Sequence, residues 1–239
     1  LLEHARLPDG TEPGPHVRRD VAMLLVMMFA FPAFQSLVQT LVPLRMGDLG
    51  FAESTIGIVQ ALPGLVALAT GAPLARLANT RWRRHALLGA FATGIAAAAA
   101  FGPARTAAAL VVPQFLIGLA TSAYYANMLP TAFRLATGEA QQRIQGHLTA
   151  VQGVGFFTGP LLGGYLSERS YALGFAAGAA CATLGLLAAW RLSRSRAIER
   201  SAGAWRELRG SYARLAHVFR RRSEVLLGAA FVFLKIGVL

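Results

Sequence analysis

The sequence predicts an all-α bundle of membrane-spanning helices, on three observations. Hydrophobic residues make up 55% of the chain and charged residues only 14%, with a mean hydropathy of +0.49. Apolar runs free of carboxylates recur at close to the ~17–25 residues that a helix needs to cross hydrocarbon. The basic residues gather in alternate loops, the distribution by which membrane helices take their orientation.

Residues 1–20, rich in Pro, Gly and charge, read as a flexible tail without the apolar core and cleavage site of a signal peptide. Val21–Leu44 is the first span and doubles as the insertion signal. Ile56–Ala75, Ala86–Ala104, Ala107–Leu129, Gly146–Leu166 and Tyr171–Trp190 complete a six-helix bundle over residues 21–190. A basic linker over 191–224 follows, and a seventh run starts at Val225 and is still apolar at Leu239. That run is too short for a full span and the chain opens on Leu1, so the expectation is a fragment: six complete spans and a truncated seventh. In the linker, Ile198, Trp205, Leu208, Tyr212, Leu215 and Phe219 share one helical face, and Arg200, Arg206, Arg209 and Arg214 occupy the rest. This predicts a helix lying on the inner leaflet; Gly203 and Gly210 leave a solvated linker as the alternative.

The formal net charge of +12 does not require a nucleic acid partner. Arg6, Arg18 and Arg19 precede the first span, Arg76, Arg81, Arg83 and Arg84 follow the second, Arg134 and Arg143 follow the fourth, and ten arginines lie from Arg191 to Arg222. The opposite loops hold Arg45, Arg105 and Arg169. The positive-inside rule then places the N-terminus in the cytoplasm and the basic side against the anionic inner leaflet of a plasma (inner) membrane.

Several function classes find no support. Cys181 is the single cysteine, and His4, His16, His85, His147 and His217 lie in tails, loops or span ends without ligand spacing, so no metal site is expected. There is no phosphate-cradling glycine loop and no nucleophile elbow. Neither an enzyme nor a cofactor is expected.

Polar residues inside the spans are the candidates for solute contact. Gln114, Gly118, Thr121 and Tyr125 step by four, three and four along one face of the fourth span, and Gln35 and Gln39 share a face of the first. Gln60 in the second span and Gln152 in the fifth are further candidates. Amides, a hydroxyl and an aromatic suit a neutral, amphipathic or aromatic small molecule, while the alternative for each is hydrogen bonding between helices. None of the six complete spans carries Asp or Glu at membrane depth; Asp20, Glu53, Glu139, Glu168 and Glu224 sit at ends or in loops. Lys235, about halfway along a full seventh span, is the one charge at depth and a possible coupling group.

The fifth span holds the most distinctive run, Gly155-Phe-Phe-Thr-Gly159-Pro160-Leu-Leu-Gly163-Gly164. Glycines four apart form a stripe without side chains, where another backbone can approach, and Pro160 removes a donor and favours a kink. Gly155, Gly159 and Gly163 are expected to face a second bundle as a moving interface.

This run, the six spans before a long basic loop and the basic turn between spans two and three resemble the N-terminal half of a major facilitator superfamily transporter. At its fixed positions the glycine run matches the family's motif C, associated with proton-driven exporters. The family's motif A, Gly, three residues, Asp-Arg, one residue, Gly-Arg-Arg, is degenerate here. Ala75, Asn79, Thr80 and Trp82 depart from it, and Arg83 and Arg84 match. Asn79 can cap a helix but brings no charge to the cytoplasmic gate that the resemblance places at Asn79, Arg83 and Arg84; plain topology also accounts for the arginines. Gln114 stands four residues before Gly118, where the family's fourth-span motif has an arginine implicated in proton coupling.

The resemblance implies a permease in which two six-helix bundles rock about a midplane site lined by the first and fourth spans, one of the bundles lying in the missing C-terminal half. It points to export by antiport. An uptake permease or uniporter, or a transport-silent receptor on the same scaffold, remains open beside it.

Overall fold

The computed structural model describes residues 15–77, 82–133 and 138–192. The chain divides into two units, 1–199 and 200–239, and all described residues belong to the first. Asn79, the linker helix, Lys235 and the seventh span lie outside the described residues. Six helices run through that first unit: α1 (Pro15–Asp48), α2 (Glu53–Leu77), α3 (Arg83–Phe101), α4 (Ala107–Phe133), α5 (Gly138–Ser167) and α6 (Tyr171–Arg191). Each expected span falls on one of them. α3 stops three residues before the expected Ala104: Gly102 keeps helical dihedrals (φ −51°, ψ −57°), but Pro103 has no N–H with which to continue the ladder.

Five of these helices are long and apolar enough to cross a membrane, and α5 is the exception among the described residues. At about 1.5 Å per residue its 30 residues are ample in length. It falls short in apolarity because Gln141, Gln142, Arg143, Gln145, His147 and Gln152 occupy its first half and glycines much of its second.

The connections are tight. α1 ends on Gly50, whose φ of 77° lies in the left-handed region, while Phe51 N–H bonds to Met46 O (3.1 Å) and Gly50 N–H to Gly47 O (2.9 Å). These are the two bonds of a Schellman stop, which returns orphan carbonyls to a partner and turns the chain into α2.

α1 is the central helix. In its apolar window 67% of residues are buried, against 11% for α2. It packs most extensively on α5 and α6, α4 packs on α2 and α3, and α3 packs on α6. Exchanging α1 with α4, α2 with α5 and α3 with α6 leaves this set of pairings unchanged. Two three-helix units of opposite direction therefore build the bundle, a repeat that hydropathy permits and the residues do not display. Proline follows the same division. α1, α2, α4 and α5 carry Pro32, Pro43, Pro63, Pro73, Pro113, Pro130 and Pro160, and α3 and α6 carry none.

Aromatic rings fill the junction of α1, α3 and α4. Phe31 stacks on Tyr124 at 4.0 Å between centroids and meets the edges of Phe34, Phe91 and Tyr125 at 5.7–5.9 Å. Tyr124 is fully buried, and its hydroxyl donates to Met27 O at 3.0 Å, so α4 is tied to α1 by ring and hydrogen bond together.

Arginines close the helix ends. Arg45 donates from both terminal nitrogens to Phe101 O and Gly102 O at the end of α3, with its guanidinium 5.7 Å from the Phe175 ring centre. At the opposite end Arg19 donates to Arg191 O (2.7 Å) and Arg84 to Trp190 O, so α1 and α3 together cap α6. Cations at helix C-termini meet orphan carbonyls and the negative end of the dipole.

The glycine stripe of α5 faces α1, inside the same bundle, and not a second bundle. A Cβ on Gly155 would lie 2.6 Å from Phe29 O, one on Gly159 would lie 2.6 Å from Leu37 N and overlap Ser36 Oγ, and one on Gly163 would lie 3.2 Å from Thr40 Cβ. The contacts advance in step along both chains, so α1 and α5 run parallel with their backbones pressed together. Exposed Val154, Phe157 and Leu161 show which other side of α5 is left for lipid or a further bundle. The expectation that Gly155, Gly159 and Gly163 face a second bundle is thus corrected: the stripe packs closely against α1. Gly164 is different, with open space around its Cβ position. We expect Gly159→Leu to cost at least about 3 kcal/mol, since backbone atoms cannot yield as side chains do, and Gly164→Leu to cost less than about 0.5 kcal/mol. Thermal unfolding of the two variants in detergent measures the difference.

Candidate functional site

α4 presents its polar face to α1 and α2. α2 and α4 run parallel and close, because Gly118 leaves no Cβ where Pro63 O and Val66 Cβ would stand 2.7 and 2.6 Å away. This proximity sets the register of the side chains on either side of Gly118. Toward the start of α4, Gln114 is 2% exposed and donates through Nε2 to Gln60 Oε1 at 3.1 Å. Gln60 in turn donates to Gln39 O at 3.2 Å. The rung α4–α2–α1 is therefore closed by two amide bonds, and Gln39 joins it through its backbone while its side chain is exposed.

About 16 Å further along α4, at 1.5 Å per residue, a second cluster forms around Tyr125. Its hydroxyl donates to Gln35 Oε1 on α1 at 3.1 Å, and the Gln152 side chain of α5 lies within hydrogen-bonding reach of the same hydroxyl. The ring is held edge-on by Phe31 and Tyr124, at 5.9 and 5.1 Å. Tyr125 is therefore fixed on its apolar side and hydrogen-bonded on its polar side, an arrangement suited to stacking and to hydroxyl exchange with a bound solute.

Between the two clusters lies Thr121. Its Oγ1 is buried and has no hydrogen-bond partner. Thr40, Thr70, Thr131, Thr158 and Thr183 each turn their hydroxyl back to the carbonyl four residues earlier. Thr121 does not, so one buried hydroxyl on this face is left without a partner.

The structure thus brings Gln35, Tyr125 and Gln152 together and, separately, Gln39, Gln60 and Gln114. Arg84 sits at the end of α6 as described, and Arg83 begins α3 with only 8% of its surface exposed. Pro160 lies next to Gly159 on an exposed flank of α5. Among the described residues no group of three or more His, Cys, Asp or Glu could hold a metal ion.

Two residues escaped the sequence reading. Asn127, fully buried, donates to Leu74 O on α2 (3.2 Å) and Ala123 O (2.8 Å), and Ser36 donates to Pro32 O (2.7 Å) beneath Gly159. Asn127 was visible as an amide within an apolar run two residues beyond Tyr125. Ser36 had no signal of its own, since only the position of α5 gives it meaning.

The family model of the Major Facilitator Superfamily matches residues 23–238. The chain belongs to the major facilitator superfamily. It is accordingly an integral membrane protein of a transporter family, and small solutes are what such proteins carry. No curated protein matches the sequence.

In this superfamily member the Gln60–Gln114 bond is open to a direct measurement. Gln60→Ala leaves a buried amide unsatisfied and should cost about 1–3 kcal/mol of stability. Replacing both partners, Gln60→Leu with Gln114→Leu, should recover most of that loss. A double-mutant cycle on thermal stability measures the coupling.

Proposed function

We propose that this protein carries a small, uncharged, hydrogen-bonding solute with an aromatic or amphipathic body, and that the solute is held at Tyr125 between α1 and α4. The observation that carries the reading is the Tyr125 cluster: a ring fixed by Phe31 and Tyr124, and a hydroxyl shared with Gln35 and reached by Gln152. Thr121 Oγ1, buried and without a partner, lies one turn before Tyr125 on the same helix. Gln39, Gln60 and Gln114 close the site on one side. Alternating access through the motion of this bundle against a second one would expose the site to each side in turn.

Export by antiport is the direction we propose, in a plasma (inner) membrane with the N-terminus in the cytoplasm. The basic loops support the orientation. The likeness of Gly155–Gly164 to motif C supports export, although its glycines act here as packing within one bundle. Among the described residues no carboxylate lies in the middle of a helix, and Gln114 bonds to Gln60 where the family has an arginine, so this bundle offers no proton carrier. That observation favours a second reading, facilitated diffusion without proton coupling. Arg83 and Arg84 we assign to holding the ends of α3 and α6 rather than to a gate.

Flux of a panel of neutral aromatic and amphipathic solutes into vesicles, with and without a pH gradient, tests both. Antiport predicts gradient-dependent flux, and flux indifferent to the gradient establishes the uncoupled reading in its place. Tyr125→Phe should lower transport about three- to tenfold, the worth of one hydrogen bond, and cost about 1 kcal/mol of stability through the lost bond to Gln35. Unaltered transport in that variant would remove Tyr125 from the site.

A further inference from the structure

α6 ends among arginines from three helices. Arg19 of α1 donates to Arg191 O at 2.7 Å, and Arg84 of α3 donates through Nη2 to Trp190 O and through Nε to Ala189 O at 3.5 Å. Arg191 itself is exposed at the same end. Two guanidinium groups are thereby fixed on neighbouring carbonyls, beside a third basic side chain.

Helix capping does not account for this much charge. The C-terminus of a helix is equivalent to about half a negative charge. Among the described residues, the ends of α1, α3 and α6 gathered here carry one carboxylate, Asp20, against Arg18, Arg19, Arg83, Arg84 and Arg191. Even when Asp20 and the α6 dipole are both set against Arg19, Arg84 and Arg191 alone, about one and a half positive charges are left over. Donors are left over as well. The bonds to α6 use one N–H group of Arg19 and two of Arg84, and a guanidinium has more to give.

The surroundings are those of a membrane interface. Trp190 is 66% exposed with the Arg84 guanidinium 5.8 Å from its ring centre, and Trp82, 50% exposed, stands 5.2 Å from the His85 ring. Exposed tryptophan beside arginine marks headgroup level. α3 and α6 pack antiparallel, with Arg84 at Trp190 and Phe91 at Gly185, so Gly89 and Ala92 lie near the depth of Leu187 and Leu184. All four are exposed, and the pair on α3 has almost no side chain, which leaves a shallow apolar furrow below the arginines. A free anion would have no use for that lower half.

We infer that the ends of α1, α3 and α6 form a site for one anionic phospholipid, whose phosphodiester bridges Arg19, Arg84 and Arg191 beside Trp190 and whose acyl chain lies against Leu184 and Leu187. The phosphodiester supplies the charge left uncompensated there and accepts the spare N–H groups. A zwitterionic lipid brings its own ammonium and answers the arginines less well. The site stands whatever solute Tyr125 meets.

Native mass spectrometry of the full chain, released from detergent micelles with phosphatidylglycerol or phosphatidylcholine added, tests the site. Arg191→Gln is the decisive variant, because Arg19 is held by the backbone oxygen at 191 and keeps that bond. We expect the unaltered protein to retain phosphatidylglycerol at least fivefold more than phosphatidylcholine, Arg191→Gln to lose at least fivefold of that retention, and Arg169→Gln, at the opposite end of α6, to keep it. Equal retention of the two lipids, undiminished retention in Arg191→Gln, or as large a loss in Arg169→Gln would overturn the site. Displacement of the lipid by inorganic phosphate would do the same and assign the arginines to a free anion. Should Arg191→Gln fail to accumulate, quenching of tryptophan fluorescence decides. Brominated phosphatidylglycerol should then quench the unaltered protein at least twofold more than brominated phosphatidylcholine, and Trp190→Phe should remove the difference; equal quenching by the two lipids, or a difference that survives Trp190→Phe, would overturn the site.

Discussion

A polar atom held between two helices away from water must find its partner in the protein, and this bundle is arranged around that requirement. Hydroxyls of Ser36, Thr40, Thr70, Thr131 and Thr183 turn back onto their own helices, Asn127 ties α4 to α2, and the amides of Gln60 and Gln114 satisfy one another. At the helix ends Arg19, Arg45 and Arg84 take the carbonyls that no further turn can use. The pairing stops at Thr121 Oγ1 and Asn127 Oδ1, buried atoms of α4 without a partner, and the two residues flank Tyr125, where the solute is proposed to sit.

Packing supplies the second half of the picture. Close backbone approach along Gly155, Gly159 and Gly163 holds α5 to α1, and Gly118 holds α4 to α2, so both exposed edges of the bundle are fixed to its centre. α3 and α6, free of interior proline, pack on each other and on α4 and α1. The helices that line the polar face are the ones with proline in their interior, where a missing ladder bond lets a helix bend.

Much of this was legible in the sequence, for identifiable reasons. Span length and the alternation of arginines follow from the thickness of hydrocarbon and the charge of the membrane, which act on each helix separately. Likewise the four-three-four spacing of Gln114, Gly118, Thr121 and Tyr125 is a property of one helix. What a single helix does not encode is its neighbour. The glycines of α5 announce that something comes close, but nothing within them distinguishes α1 from a second bundle, and the expected partner was the wrong one. Gln60 was a weak candidate until Gln39 and Gln114 were found on either side of it. The two three-helix units share their pairing pattern without sharing residues, so composition could only permit them.

The central position of α1 has a consequence for how the protein is made. α5 and α6 pack chiefly on a helix that is made well before them, and Ser36 reaches Gly155 O across 119 residues. At about 5–20 residues per second, roughly 6–24 s separate the synthesis of those two groups. During that interval Gln35 waits for Tyr125 and Ser36 lies against whatever the insertion machinery offers. The polar groups of Gln35 and Ser36 therefore gain their partners on α4 and α5 only after those later helices have been made.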